Sequence, residues 1–276
     1  MAVGNTSPDT ISGGQDKEQP MNLLALNASH RGERGITARL LSRLGEGAQQ
    51  AGAGFETLTL ARLKINRCLS CQQCQEDKNH LQCVYNDKDD ARFVFDRMAE
   101  ADLLIFATPI YLMTMSGLMK NLLDRTYSTM DISDVRLMGG LIHHHVNPAI
   151  SRKPFVTLLV CSNLETLSWR NAAGYFRIYA RFMEAQQVGL LVRNASELFA
   201  AQNAATMQRR FPKIPQVWAA FEQAGRELAE RGAVSWQTAR RASQEVIPVP
   251  FFGLLKRLPW VRRRVVQALN DPSFWE

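Results

Sequence analysis

Two hydrophobic patterns alternate along most of the chain. Short apolar runs, MNLLALN from Met21, LLIFAT from Leu103, FVTLLVC from Phe155 and VGLLV from Val188, have the length and composition of buried strands, while FETLTL from Phe55 alternates as a half-buried strand does. Between them, ITARLLSRLGEGAQQ and ARFVFDRMAEA carry apolar residues at the spacing of an amphipathic helix, as does a longer stretch from about Leu164 to Gln187. Ser116 precedes LMKNLLDRTY, where its hydroxyl is suited to accept from the free amides of a first helical turn. Residues 126 to 153 show neither pattern. With Gly139, Gly140, three consecutive histidines and Pro148, they read as a long irregular connection of the kind that is a lid, an oligomer contact or disordered.

Strands alternating with helices imply a parallel sheet covered on both faces, because right-handed crossovers put the helices there. The expected fold is α/β, a doubly wound sheet of five parallel strands. Beyond Asn194 only helical spacing remains, in VWAAFEQAGRELAERG and in SWQTARRASQEV, which opens on a capping Ser235. Residues 1 to 20 are rich in Gly, Ser, Pro and Asp and have too little apolar content to offset their ordering entropy. The expected organisation is a mobile arm over 1–20, one α/β domain over 21–194, and a helical extension over 195–276 packed on the same domain.

Charge narrows the partners without choosing one. Thirty-three Lys and Arg against 26 Asp and Glu give +7, which favours anionic partners such as phosphorylated cofactors. The basic residues are scattered and form no nucleic-acid recognition motif, so no nucleic acid is expected. No apolar run reaches the roughly 18 residues of a spanning helix, and the amino end lacks a basic start followed by an apolar stretch. The expected location is the cytoplasm. The basic and apolar tail FFGLLKRLPWVRRRVV, interrupted by Pro259, is expected to pack within the protein or a dimer.

Three segments carry candidate chemistry. In an open parallel sheet the loop after the first strand is the usual phosphate site. Here that loop offers Ser29, Arg31, Gly35, Ile36 and Thr37: hydroxyls, a guanidinium, a glycine for close backbone approach, and the free amides of a helix start. It lacks the Gly-Lys-Ser/Thr ending of a P-loop and the Gly-x-Gly-x-x-Gly of a dinucleotide fingerprint. After the apolar strand from Leu103 comes Pro109, Ile110, Tyr111, Leu112, Met113 and Thr114, an aromatic with flexible apolar neighbours that suits a flat heteroaromatic ring. Four of the five cysteines cluster as Cys68-x2-Cys71-x2-Cys74-x8-Cys83, a spacing that points to a metal or redox site in a reducing compartment. His143, His144 and His145 offer a metal or flavin contact, or simply a solvated run, and Cys161 at a strand end reads as a small buried hydrophobe.

Taken together, the loop from Ser29, the loop from Pro109 and the cysteine cluster make the stretch from Met21 to Arg125 resemble the flavodoxin-like NADPH-dependent FMN reductase family, and within it the iron-sulfur flavoproteins. The resemblance implies that Ser29, Arg31, Gly35, Ile36 and Thr37 bind the FMN phosphate, with His30 in place of the family's proline and Ile36 in place of its asparagine. It implies that Pro109 to Thr114 touch the isoalloxazine, with Ser162 and Asn163 as a third contact after the next strand. Cys68, Cys71, Cys74 and Cys83 would then hold a four-iron four-sulfur cluster, although structural zinc, free thiols or a redox-active pair fit the same donor set. The implied function is electron transfer from NAD(P)H to a flavin, quinone or other small-molecule acceptor, by a homodimer or homotetramer. Two alternatives stand beside it: an electron carrier fed by a ferredoxin-like partner, and a flavin-free interaction protein with zinc in the cysteine loop.

Overall fold

The computed structural model describes residues 20–138, 140–200, 204–247 and 258–270. Five parallel strands form the sheet: β1 (Asn22–Asn27), β2 (Gly54–Thr59), β3 (Leu103–Tyr111), and two later strands whose labels follow the intervening elements. β4 (Thr114–Met115) folds back antiparallel on the end of β3. β5 (Met130–Met138) and β6 (Leu141–Val146) pair with each other, and β7 (Phe155–Val160) and β8 (Gln187–Arg193) complete the main sheet. The parallel order is β2-β1-β3-β7-β8. The chain therefore leaves β1 in one direction to β2 and crosses back to β3 in the other, so the switch point lies between β1 and β3. The fold is a doubly wound α/β sheet, as the alternation of patterns predicts, and its strand order is the flavodoxin-like one that the resemblance implies.

Period-two burial explains why β1 is apolar throughout. Leu23 and Ala25 enter one hydrophobic cluster, and Leu24 and Leu26 enter the other on the opposite face. The first cluster is covered by α1 (Ile36–Gln50) through Leu40, Leu41 and Leu44. The second is covered by α2 (Ala91–Glu100), α3 (Gly117–Arg125) and, after the short α4 (Pro148–Ser151), by α5 (Leu167–Phe182). Ser116 caps α3 as its sequence predicts, accepting from the amide of Met119 at 3.3 Å. The third helix found by pattern is shorter than its apolar spacing, because Asn163 accepts from the Glu165 amide in a side-chain turn ahead of it.

The extension joins the first cluster. After α6 (Ala204–Arg210), α7 (Ile214–Arg231) contributes Val217, Phe221, Ala224 and Leu228 to the same core as α1. The two helices cross at Gly47 and Gly225. A Cβ at Gly47 would lie 1.8 Å from the Glu222 carbonyl oxygen, and one at Gly225 would lie 1.9 Å from that of Leu44. α8 (Trp236–Ala242) opens on the Ser235 cap, and Glu227 of α7 accepts from the Ser235 amide at 2.7 Å and from the Thr238 hydroxyl at 2.7 Å. Arg193, fully buried at the end of β8, donates to the carbonyls of Asn194, Ala242 and Gln244 and so ties this corner to the sheet. Burial lowers its pKa to about 10.

One sequence expectation needs correction. The segment read as irregular between 126 and 153 contains the antiparallel pair β5–β6, with a register shift between Asp131 and Val135. Its pattern misleads because Val135, Leu137 and Ile142 are exposed, so the pair satisfies its backbone without burying an alternating face. Pro259 is the first residue of α9 (Pro259–Asn270), a position where the missing amide is harmless, so no helix runs through it from Leu258. Residues 251–257 of that tail, and 1–19 of the expected arm, lie outside the described residues.

Candidate functional site

The carboxyl ends of β1, β3 and β7 open on one pocket lined by Ser29, Arg31, Ile36, Thr37, Pro109, Ile110, Tyr111, Val160, Ser162, Ser196 and Glu197. Eight of these are residues singled out from the sequence. The loop after β1 is shaped from within by Asn27, fully buried, whose Oδ1 accepts from the Ser29 amide at 3.1 Å and whose Nδ2 donates to the Gly32 carbonyl at 3.4 Å. Gly32 takes φ +56, the left-handed region that favours glycine. Gly35 stands at the helix start, where a Cβ would come within 2.7 Å of Ser29 Oγ; it leaves the hydroxyl clear and caps α1 with no side chain. The first amides of α1 thus have no side-chain cap, and with Ser29 and Arg31 they present a set of donors of the kind that suits an anion.

The second wall comes from the β3–β4 hairpin. Pro109, Ile110 and Tyr111 line the pocket, whereas Leu112 (95% exposed), Met113 and Thr114 stand outside it. Leu112 and Met113 take φ +45 and +67, so this two-residue turn adopts a backbone that usually calls for Asn-Gly. His30 stacks on Tyr111 with ring centroids 5.9 Å apart and so joins the two loops. A buried relay fixes their spacing: the Ser116 amide donates to Thr108 Oγ1 at 2.9 Å, and Ser116 Oγ donates to the Ala28 carbonyl at 2.8 Å.

The third side was only partly legible. Ser162 lines the pocket, but Asn163 is turned to its own backbone. Ser196 and Glu197, beyond β8, were missed. Glu197 accepts from Ser162 Oγ at 3.1 Å and lies 3.9 Å from the Arg31 guanidinium. The strand-end rule that selected the other loops would have found them, since the turn after β8 opens on the same edge. Cys161 is buried beside them, and burial pushes its thiol up in pKa.

A second pocket lies in the long connection from β2 to α2. Cys68, Cys71, Cys74 and Cys83 all line it, together with Tyr85, Arg125, Tyr127 and Ser128. The loop around it holds Ser70, Gln72 and Leu81 at φ +52, +59 and +58, three non-glycine residues in the left-handed region within one short segment. Its sulfurs have donors: the Ser70 amide reaches Cys68 Sγ at 3.5 Å, and Gln75 Nε2 reaches Cys74 Sγ at 3.6 Å. Gln75 also donates to the Met130 carbonyl at 2.9 Å and accepts from the Ile132 amide at 3.2 Å, fastening the loop to β5. Burial raises the pKa of Cys74. Among the described residues no set of three or more His, Cys, Asp or Glu side chains has metal-ligating geometry. The start of this connection touches the turn after β1, where Arg62 pairs with Glu33 at 3.0 Å and holds its carboxyl down at about 2.

The histidine run does not converge. His143 is buried against the Phe182 ring, His144 Nδ1 is 3.1 Å from the Ile132 carbonyl, and His145 faces Asp134 at 3.7 Å. Among the described residues no helix is long and apolar enough to cross a membrane.

Comparison with known proteins places the chain in a family and a fold. Residues 21–159 match the family model of the NADPH-dependent FMN reductases. An iron-sulfur flavoprotein of Archaeoglobus fulgidus is 33% identical over 106 residues, 38% of this chain and 49% of that protein. An iron-sulfur flavoprotein of Methanocaldococcus jannaschii is 35% identical over 77 residues, 28% of this chain and 37% of that protein. The matches therefore span less than half the length of either relative. Among solved structures, an FMN-dependent NADH-azoreductase of Bacillus anthracis in complex with FMN superposes with a TM-score of 0.55 at 8% identity, covering 76% of this chain and 100% of that one. An NAD(P)H:quinone oxidoreductase of Methanothermobacter marburgensis gives 0.53 at 16% identity, with 76% and 100% coverage. At these identities the likeness is one of fold.

Proposed function

Since this chain belongs to the NADPH-dependent FMN reductase family, we propose that it is an FMN-dependent oxidoreductase that takes electrons from NAD(P)H and delivers them to a flavin, quinone or other small acceptor. The observation that carries this reading is the single pocket in which the anion-binding turn of Ser29, Arg31, Ile36 and Thr37 meets Pro109, Ile110 and Tyr111 across the β1/β3 switch point. The residues fit the cofactor. Ser29 Oγ, the Arg31 guanidinium and the uncapped amides of α1 supply donors for a phosphate, and Gly35 keeps the approach to Ser29 open. Pro109, Ile110 and Tyr111 supply a wall for the ring, held in place by Thr108 and Ser116. When bound, FMN supplies the redox chemistry, accepting a hydride and releasing electrons. The chain's part is to hold the anion, exclude water from one side of the ring and orient it. Arg31 exchanges its carboxylate partner, Glu197, for the phosphate, and Glu197 keeps Ser162 as its donor.

The same reading gives Cys68, Cys71, Cys74 and Cys83 a four-iron four-sulfur cluster. Four thiols round one pocket, with amide and side-chain donors to their sulfurs, suit that group chemically, and the iron-sulfur flavoprotein relatives favour it over zinc. A homodimer or homotetramer in the cytoplasm, with a ferredoxin-like protein as a further redox partner, completes the proposal.

Titration of the apoprotein with FMN, followed by anaerobic stopped-flow mixing with NADPH, tests the reading. Flavin fluorescence is expected to quench on binding, and NADPH to bleach the bound flavin. Ser29→Ala with Arg31→Ala removes charge-assisted hydrogen bonds of about 1.5–3 kcal/mol each, so FMN affinity should fall by at least about tenfold. Wild-type protein that takes up no FMN, or whose bound flavin NADPH leaves oxidised, would refute it.

A further inference from the structure

Arg125 is the most unusual side chain outside the flavin pocket. It ends α3, its side chain is 1% exposed, and it pairs with Asp89, whose side chain is 0% exposed. Asp89 is in turn held by the Asn66 and Ala91 amides at 3.0 and 3.1 Å, so the carboxylate is fixed from three sides. Nη1 of Arg125 is spent on Asp89 and on the Asn66 carbonyl at 3.2 Å. Nε and Nη2 are buried with no hydrogen-bond partner. The Tyr85 ring lies 5.3 Å from Cζ and covers the guanidinium, which does not satisfy these N–H groups. A buried guanidinium with two unpaired donors is costly unless an acceptor completes it. The pocket that Arg125 lines is the one ringed by the four cysteines.

We propose that Arg125 is a donor to the anionic iron-sulfur group of the cysteine pocket, its two free N–H groups hydrogen-bonding to sulfur. This rests on the cluster reading above. Because Asp89 already balances its charge, Arg125 acts through hydrogen bonds rather than through net charge. One-electron reduction of the cluster adds a negative charge to its sulfurs, and donors aimed at sulfur favour the reduced form and raise the reduction potential.

The test is anaerobic reconstitution with iron and sulfide, then a dithionite titration of the cluster followed by electron paramagnetic resonance, with iron and sulfide content and circular dichroism measured on each variant. Arg125→Lys keeps the ion pair with Asp89 but loses the planar fork. The pair Asp89→Asn with Arg125→Gln removes both charges and leaves no carboxylate stranded. The wild type is expected to load, and both variants, folded, should either lose iron retention or titrate lower, with the reduced-to-oxidised ratio at a fixed potential down about tenfold, equivalent to about 59 mV for one electron. Variants that load fully and titrate at the wild-type midpoint overturn the role of Arg125 while leaving the cluster in place. Wild-type protein that binds no iron and sulfide overturns the cluster reading itself.

Discussion

Replacing Gly225 by alanine tests how the carboxyl-terminal helices support the pocket. The new Cβ would sit 1.9 Å from the Leu44 carbonyl oxygen, more than 1 Å inside the 3.0 Å below which real Cβ contacts essentially do not occur, and 2.8 Å from the Ala48 amide nitrogen, just inside it. Both obstacles are backbone of α1, so no rotamer change relieves them, and α1 and α7 must move apart. Gaps of that size forfeit a quarter to a half of each dispersion contact. The contacts at risk are those of Leu40, Leu41 and Leu44 with Val217, Phe221 and Leu228. Overpacking of this kind costs about 1–3 kcal/mol, and alanine's better helix propensity returns about 1 kcal/mol. With backbone on both sides of the clash, the upper part of that range applies, and the net loss should be about 2 kcal/mol. Thermal unfolding followed by circular dichroism should show a midpoint about 4–8 °C lower. Gly47→Ala, whose Cβ would meet the Glu222 carbonyl at 1.8 Å, should behave alike. The double variant should lose less than the sum, since one separation of the helices accommodates both methyls. A Gly225→Ala protein that melts at or above the wild-type temperature would show that propensity outweighs the crossing and refute the close approach.

Further predictions concern the two loops at the pocket. Leu112→Asn with Met113→Gly matches the turn's left-handed backbone and removes no core contact, so it should stabilise the chain by about 1 kcal/mol; urea unfolding measures this, and a loss of stability would mean that the turn is not strained. Glu33 should titrate at about 2 instead of its ordinary 4.5, because Arg62 donates to its ionised form. Its folded pKa is depressed, so the stability it contributes is complete above pH 4.5 and fades as the pH falls towards 2. Carbon-detected NMR titration of the side chain reads this directly, and Arg62→Ala should raise the Glu33 pKa towards its ordinary value by removing the largest cause of the depression; an unchanged titration would show that Arg62 is not the cause.

Much of this fold was written locally. The apolar runs of β1, β3 and β7, the amphipathic spacing of α1 and α2, and the caps Ser116 and Ser235 each depend on neighbours a few residues away, and the chain alone states them. The turn after β1 was legible for the same reason: Ser29, Arg31 and Gly35 lie between one strand and one helix. What the chain alone could not state is which distant segments share an edge or a cavity. The pairing of β5 with β6 needed each strand to find the other, since its exposed apolar residues give no buried alternation. Ser196 and Glu197 join Arg31 only because the strand order brings the turn after β8 to the same edge of the sheet as the turn after β1. Arg125, an ordinary basic residue at a helix end in the sequence, is buried with two unpaired donors and lines the same pocket as the four cysteines only because the packed fold brings the end of α3 to the loop from β2 to α2. Local periodicity encodes which face of an element is apolar; burial, pairing and the company a charged group keeps are properties of the packed whole.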